Sequence, residues 1–341
     1  MAPMVSPGRR GLTALAALGL LLPVAACSDD APESPDTKVG DQISGRVGDL
    51  ERSERTAVVT PAGRLSVSFA DPVTRLDEDQ TTDLTARNAP DGGSFVPVVW
   101  SFVDDKIFGE LTRLFGDREP LEVRLVAGRK KYPLTPPDSG PGKQAEYVAV
   151  EGNAKDLSLE VTYDGLTQTL DVGTGKLDKG AAAGLYDLPK TKIKINDCPT
   201  KEWFTTALIY QQYECQYTTA VPSPYVVNKW AKKGHTWLSV KVATNLALYA
   251  TGELDGAIAS YDVVGNKELS TIEGKKPLHT LNERVKEGAA SGTLVFDITG
   301  ELPKTMQILR EYQLNLNGAA GKVDAPQKRT ARIGGEIDLV Y

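Results

Sequence analysis

Leu157-Ser-Leu-Glu-Val-Thr-Tyr-Asp-Gly-Leu-Thr-Gln-Thr-Leu-Asp-Val172 reads as a β-hairpin. Two runs of alternating apolar and polar residues flank Asp164-Gly165, a two-residue turn of the primed kind, whose twist suits an antiparallel pair. This turn pairs Tyr163 with Leu166, Val161 with Gln168, Leu159 with Leu170 and Leu157 with Val172. The odd-numbered apolar residues of the first strand then share one face, and a slip of one residue would turn that face to water.

The same period of two recurs on both sides of the hairpin. Gly128-Arg129 makes a second short turn that pairs Leu125 with Tyr132 and Val123 with Leu134. Leu65, Val67 and Phe69 alternate with polar or small residues, as do Val96, Val98, Trp100 and Phe102, and later Leu238, Val240 and Val242. These are expected to be half-buried strands. Helical spacing is confined to Ile107, Phe108, Leu111, Leu114 and Phe115, where one short amphipathic helix is expected although Gly109 interrupts it.

A composition shift at Lys176 to Lys192 places a domain boundary near residue 190. The plan of a long strand, a short glycine-turn hairpin and a late strand pair recurs after it, as an architectural echo at low identity. The fold class that follows is all-β, with two antiparallel immunoglobulin-like β-sandwiches in tandem over residues 56–190 and 191–341. No alternation of strands with long helices points to a doubly wound or solute-binding α/β architecture.

The N-terminus carries different information. Arg9-Arg10 precedes an apolar run from Leu12 to Leu22 and then Val24-Ala25-Ala26-Cys27. The run is too short for a permanent transmembrane helix and has the layout of a cleavable signal. Its ending resembles a bacterial lipoprotein box, which implies a signal peptide at 1–26 and a diacylglyceryl group on the Cys27 thiol. Two acyl chains hold a protein stably on a membrane, where one binds only marginally. The partial likeness of Arg9-Arg10-Gly11-Leu12 to a twin-arginine signal leaves the export route open. Residues 27–55, rich in Asp, Glu, Ser, Pro and Gly, read as lipid anchor and flexible stalk.

Loss of the signal takes two of the thirty-nine basic residues and none of the forty-five acidic ones, leaving a mature net charge of −8. That balance disfavours nucleic acid, which requires clustered Lys and Arg. With 40% hydrophobic residues the chain can bury a substantial core. Once Cys27 is lipidated, Cys198 and Cys215 remain, and in an oxidising compartment they are expected to form a disulfide worth about 3 kcal/mol.

Chemistry-bearing patterns are scarce. The two histidines, His235 and His279, lie apart in sequence, and His235 in Lys232-Lys233-Gly234-His235 reads as an exposed turn residue. No Gly-x-Ser-x-Gly nucleophile elbow, phosphate-binding loop or zinc-ligand spacing occurs. Asp77-Glu78-Asp79 and Asp104-Asp105 could supply calcium ligands or a glycosidase carboxylate pair, but they lack calcium-loop spacing and read as solvated turns. No catalytic residue, cofactor or metal site is therefore assigned. Tyr210, Tyr213, Tyr217, Tyr225, Trp230 and Trp237 gather around the disulfide segment. Tyr and Trp join apolar area to a polar handle, so Tyr213, Tyr217, Tyr225 and Trp230 are the candidate binding surface.

Gly292-Thr-Leu-Val-Phe-Asp-Ile, following the Val-Val-Gly-Asn-Lys segment, is similar to immunoglobulin-like modules of secreted antigens and lipoproteins of actinobacteria. The resemblance spans Val58 to Tyr341 and implies interaction, with no functional residues to carry over. Cys198 and Cys215 are too close in sequence for an immunoglobulin inter-sheet bridge, and are expected to brace a loop near Trp203. The expectation is a non-enzymatic, lipid-anchored protein on the extracellular face of the cell membrane that binds an envelope protein or glycan. A polysaccharide-active enzyme using a carboxylate pair, and solute capture for a transporter, are the alternatives.

Overall fold

Asp164 and Gly165 both take positive φ, 44° and 74°, as a type I′ turn demands. The hairpin has the expected register, with Tyr163 opposite Leu166, Val161 opposite Gln168 and Leu159 opposite Leu170. A hydrogen bond from the Val172 N–H to the Leu157 carbonyl at 3.0 Å closes its open end. The second hairpin likewise sets Leu125 against Tyr132 and Val123 against Leu134.

The computed structural model describes residues 36–50, 55–140, 142–188, 192–200, 203, 209–252, 256–322 and 325–341. The segment read as a signal, residues 1–26, and Cys27 lie outside the described residues. Asp36–Tyr341 forms one compact unit, and no helix among the described residues is long and apolar enough to cross a membrane.

The first half contains β1 (Gln42–Gly45), β2 (Thr56–Thr60), β3 (Gly63–Phe69), β4 (Arg75–Leu76), β5 (Arg87–Asn88), β6 (Gly93–Asp104), β7 (Leu121–Ala127), β8 (Lys130–Leu134), β9 (Gln144–Glu151), β10 (Leu157–Tyr163), β11 (Leu166–Asp171) and β12 (Leu177–Asp178). They build two five-stranded antiparallel sheets, ordered β1-β9-β6-β3-β2 and β12-β11-β10-β7-β8, beside the small β4-β5 pair. Val67, Val98, Trp100 and Val148 of the first sheet meet Leu125, Leu159, Val161 and Leu170 of the second in one core. This is an antiparallel β-sandwich.

Strand β6 departs from the half-buried expectation, being buried on both faces from Gly93 to Trp100. Its second face, with Phe95 and Val99, packs under Ile43, Leu50, Leu76 and Tyr147. Ile43 and Leu50 belong to the segment read as stalk. The stalk boundary at residue 55 is therefore corrected: β1 pairs with β9 from Gln42↔Val148 to Gly45↔Ala145, and the folded unit begins at Asp36. Single apolar residues in polar surroundings suffice here because β6 offers a ready apolar face to cover.

The expected amphipathic helix is a 3-10 segment, Asp105–Leu114, broken at Gly109 (φ 57°, ψ −124°). The kink changes the period but still buries Phe108, Leu111 and Leu114.

The second half holds β13 (Ile195–Asp197), β14 (Ile209–Thr218), β15 (Val221–Ser223), β16 (His235–Gly252), β17 (Ile258–Glu268), β18 (His279–Lys286), β19 (Ala289–Thr299), β20 (Thr305–Ala320) and β21 (Lys328–Asp338). The echo of the first half is not found, because these strands form one nine-stranded sheet. The sheet forks at β16. Along one edge this 18-residue strand pairs with β15 and β14. Along the other, His235 to Asn245 pair with β19 and Tyr249 to Gly252 with β17. The register of β14 against β16 shifts between Gln212 and Tyr213, leaving Ala247 of β16 unpaired, and that of β17 against β20 shifts between Ser260 and Tyr261 and between Val263 and Gly265. Leu238, Val240, Leu294 and Phe296 of one branch enclose a core with Ile308, Tyr312, Leu314 and Ile333 of the other.

Candidate functional site

The aromatic segment does not form an open surface. Tyr225 is fully buried, in a cluster with Phe108, Phe115 and Tyr163 of the first half and Trp237 and Val295 of the second. Tyr163 meets Tyr225 edge-on at 5.7 Å between ring centroids, and Trp230 meets it at 4.8 Å. The Trp230 indole N–H donates to the Tyr163 carbonyl at 3.1 Å. Two residues in the left-handed region, Val227 (φ 51°) and Asn228 (φ 54°), aim their backbone N–H groups at the carbonyls of Leu114 and Phe115, at 2.8 and 3.0 Å. A β-branched residue in that region is strained, and the two bonds into the first half hold it there.

Tyr213 and Tyr217 lie elsewhere, buried in the core of the second half. Tyr217 donates to the Asp338 carbonyl at 3.1 Å, and Tyr213 packs between Trp203 and Tyr312 with centroids at 6.3 and 6.4 Å. Burial raises the hydroxyl pKa of both. The expected four-residue binding surface is thus corrected. Its members occupy two separate cores, because each fully buried large apolar side chain contributes about 1.5–3 kcal/mol, which exposure would forfeit.

The site that does open to solvent lies beside the disulfide. Cys198 and Cys215 are bonded, and Cys198 also donates its N–H to the Cys215 carbonyl at 2.9 Å. The Thr200 N–H donates to the Cys198 carbonyl at 2.7 Å and the Trp203 N–H to the Thr200 carbonyl at 3.1 Å. The Trp203 indole covers Gly335, where a Cβ would collide with its ring. Alongside is a cavity of about 480 Å³, bounded among the described residues by Asp197, Cys198, Thr200, Tyr213 to Gln216 and Ala243 to Asn245.

Strand alternation divides that wall into two sets. Tyr213 and Cys215 belong to the core of the second half. Asp197, Glu214 and Gln216 are exposed, while Ala243 and Asn245 are half-buried. Register sets Asp197 beside Gln216, Gln216 beside Ala243 and Glu214 beside Asn245. The Gln216 side-chain amide donates to Asp197 Oδ1 at 3.0 Å, which fixes both groups. Two carboxylates and two carboxamides therefore stand together on neighbouring strands.

A polar network extends inward from the same wall. Tyr312 donates to the Thr244 hydroxyl at 3.3 Å. Next to Tyr312 on β20, Arg310 is 3% exposed, pairs with Glu268 and donates to Asn266 Oδ1 at 2.6 Å. Glu268 in turn accepts from the Ser270 N–H at 2.8 Å and from its hydroxyl.

The other candidates have structural partners. Asp77 pairs with Arg75 at 3.3 Å, and its N–H is capped by Gln80 at 2.8 Å. Asp104 pairs with Lys106 at 3.2 Å, and Asp105 receives a two-point contact from Arg118. Among the described residues no three His, Cys, Asp or Glu side chains converge as metal ligands. His235 is not a free turn residue. It begins β16, and its Nδ1 lies 2.7 Å from Asp297 Oδ1, a pair separated by 62 positions that the sequence does not advertise. Ser239, on the same face, is four residues along the strand, about 13 Å away, so this pair and that serine form no nucleophilic triad. No protein-family model matches the chain, and comparison with curated proteins likewise finds no match.

Proposed function

We propose that the protein is a lipid-anchored, extracytoplasmic binding protein of the cell envelope, without catalytic function, and that its ligand site is the cavity beside Cys198–Cys215. The signal ending at Cys27 supports the location. The cavity carries the binding reading: its volume of about 480 Å³ falls within the range of roughly 300–1,000 Å³ typical of ligand sites. Among the described residues its lining includes Asp197 and Gln216, held together by a hydrogen bond of 3.0 Å, a fixed polar pair of the kind such sites carry. The immunoglobulin-like kinship suggested by the sequence belongs to the same proposal, as does the assignment to an actinobacterial lipoprotein group.

Crosslinking and mass spectrometry on intact membranes test both parts. Wild-type protein is expected in the membrane fraction with defined crosslinks near residues 197–200 and 243–245. Cys27→Ala moves it to the soluble fraction, and Ala243→Trp, which fills the cavity, removes those crosslinks. Membrane association that ignores Cys27→Ala overturns the anchor, and crosslinks that survive Ala243→Trp overturn the site. A second reading, polysaccharide cleavage, draws on Asp197 and Glu214 as a carboxylate pair in the same wall. It predicts turnover of an envelope polysaccharide that Glu214→Gln abolishes.

A further inference from the structure

We infer that Asn317-Gly318 is a self-modification site, at which the Asn317 carboxamide converts slowly and without an enzyme to a carboxylate through a cyclic imide. It is the only Asn-Gly pair in the chain. It lies outside the cavity proposed above, and stands whether or not that cavity binds a ligand. In the first step the Gly318 backbone nitrogen attacks Asn317 Cγ. The new N–Cγ bond closes a ring, the Cγ–Nδ2 bond breaks, and the Gly318 proton leaves, by way of water, with Nδ2 as ammonia. Water then opens the ring. Cleavage of the N–Cγ bond gives aspartate, and cleavage of the original peptide bond gives isoaspartate, whose backbone runs through Cβ and Cγ.

A regular strand resists this reaction, because extended backbone pinned on both sides keeps the attacking nitrogen away from Cγ. Asn317 is not so held. The pairing of β17 with β20 passes from Tyr261↔Leu316 to Ser260↔Gly318, so Asn317 is an extra residue that faces no partner, as in a β-bulge. β21 pairs with β20 only as far as Asn315, with one further bond from the Leu316 N–H to the Gln327 carbonyl at 2.9 Å. Among the described residues, Asn317 to Ala320 are thus paired with β17 alone, and all four are exposed to water. Gly318 adds no Cβ beside the attacking nitrogen and leaves the backbone free to rotate. The Asn317 Nδ2 donates to Asp262 Oδ1 at 2.8 Å, and that bond determines what conversion does. A carboxylate in its place can only accept, and it sets two like charges across the β17–β20 pair, which destabilises the pairing. Isoaspartate also lengthens the backbone by one atom, which breaks the register from Gly318 to Ala320.

The test is peptide mass spectrometry on the folded full chain in detergent micelles, incubated for weeks at mildly alkaline pH beside a chain held unfolded in denaturant. Peptides containing Asn317 are followed for loss of ammonia and then for the mass of a carboxylate, with isoaspartate scored by its specific methyltransferase. Folded protein is expected to form imide and isoaspartate at Asn317 ahead of every other asparagine. Gly318→Ala should slow conversion about fivefold. Its added Cβ meets nothing closer than the Ser260 hydroxyl at 3.7 Å, so the strand is undisturbed. Asn317→Asp, which carries the product charge, should quicken amide hydrogen exchange in Ile258–Asp262 and Leu316–Ala320. Adding Asp262→Asn, which returns a donor to the pair, should restore it. Conversion confined to the unfolded chain overturns the inference, because the sheet then protects the pair. Aspartate without isoaspartate, or a rate unchanged in Gly318→Ala, overturns the cyclic route. Exchange that ignores Asn317→Asp overturns the structural consequence while the modification stands.

Discussion

The Tyr225 hydroxyl donates to Asp164 Oδ2 at 3.0 Å, so the turn residue of the hairpin in the first half is held by the aromatic segment of the second. Burial first, and the neighbouring carboxylate second, push the Tyr225 hydroxyl above its ordinary pKa. The phenol therefore remains a donor throughout the physiological range. Tyr225→Phe removes this bond at an exposed acceptor and is expected to cost about 1 kcal/mol. Tyr225→Ala also empties the aromatic cluster and is expected to cost about 3–5 kcal/mol. In guanidinium titrations the wild type should unfold in one transition, and Tyr225→Ala should separate the two halves into two.

Glu146 makes stability depend on pH. Its Oε2 is buried with no hydrogen-bond partner among the described residues, and burial raises the carboxyl pKa above its ordinary value. An acid whose folded pKa lies above its unfolded one costs nothing while both states are protonated. The penalty grows as pH rises from the unfolded pKa through the folded one. Glu146→Gln should therefore match the wild type near pH 4 and be more stable than it at neutral pH. Urea midpoints measured at both values check the sign.

Arg310 and Glu268 form a buried ion pair, with side chains 4% and 12% exposed. Removing either partner strands the other, so Arg310→Met and Glu268→Gln should each cost about 3–5 kcal/mol. The double variant should cost clearly less than the two single costs combined. A double-mutant cycle from denaturant midpoints reads the coupling directly, and strict additivity would refute it.

The disulfide closes a separation of 17 residues, so Cys198→Ser should cost about 3 kcal/mol. Because both sulfurs belong to cavity residues, reduction should also weaken ligand binding. Calorimetry with and without a reductant tests this at a temperature where both forms remain folded.

Local chemistry was legible in the sequence. Both hairpins follow from turn residues that accept positive φ and from alternation with one buried face, information contained within sixteen consecutive residues or fewer. What depends on distant cover was not. The second face of β6 is buried by Ile43 and Leu50, two residues that alone carry no signal. The fork at β16 depends on which strands from later in the chain pair with each part of its edge, which composition does not encode. Tyr225 and Trp230 stand out as apolar groups with polar handles, but only the opposing Tyr163 and Phe115 decide that they face inward. The cavity wall combines ordinary polar residues from three segments, none of them a motif.

The forked strand β16 also sets a schedule for acquiring the fold. Its edge from His235 to Asn245 has no partner in β19 until Ala289–Thr299 is present, and β17 waits further for Thr305–Ala320. Non-local pairing of this kind is slow, because loop closure precedes any reward. A chain threading outward from its N-terminus would complete its first sandwich while Leu238 and Val240 still lacked cover. Until β19 and β20 are in place the first-formed strands of the second half present an open sheet edge, the kind of surface that favours pairing with another chain.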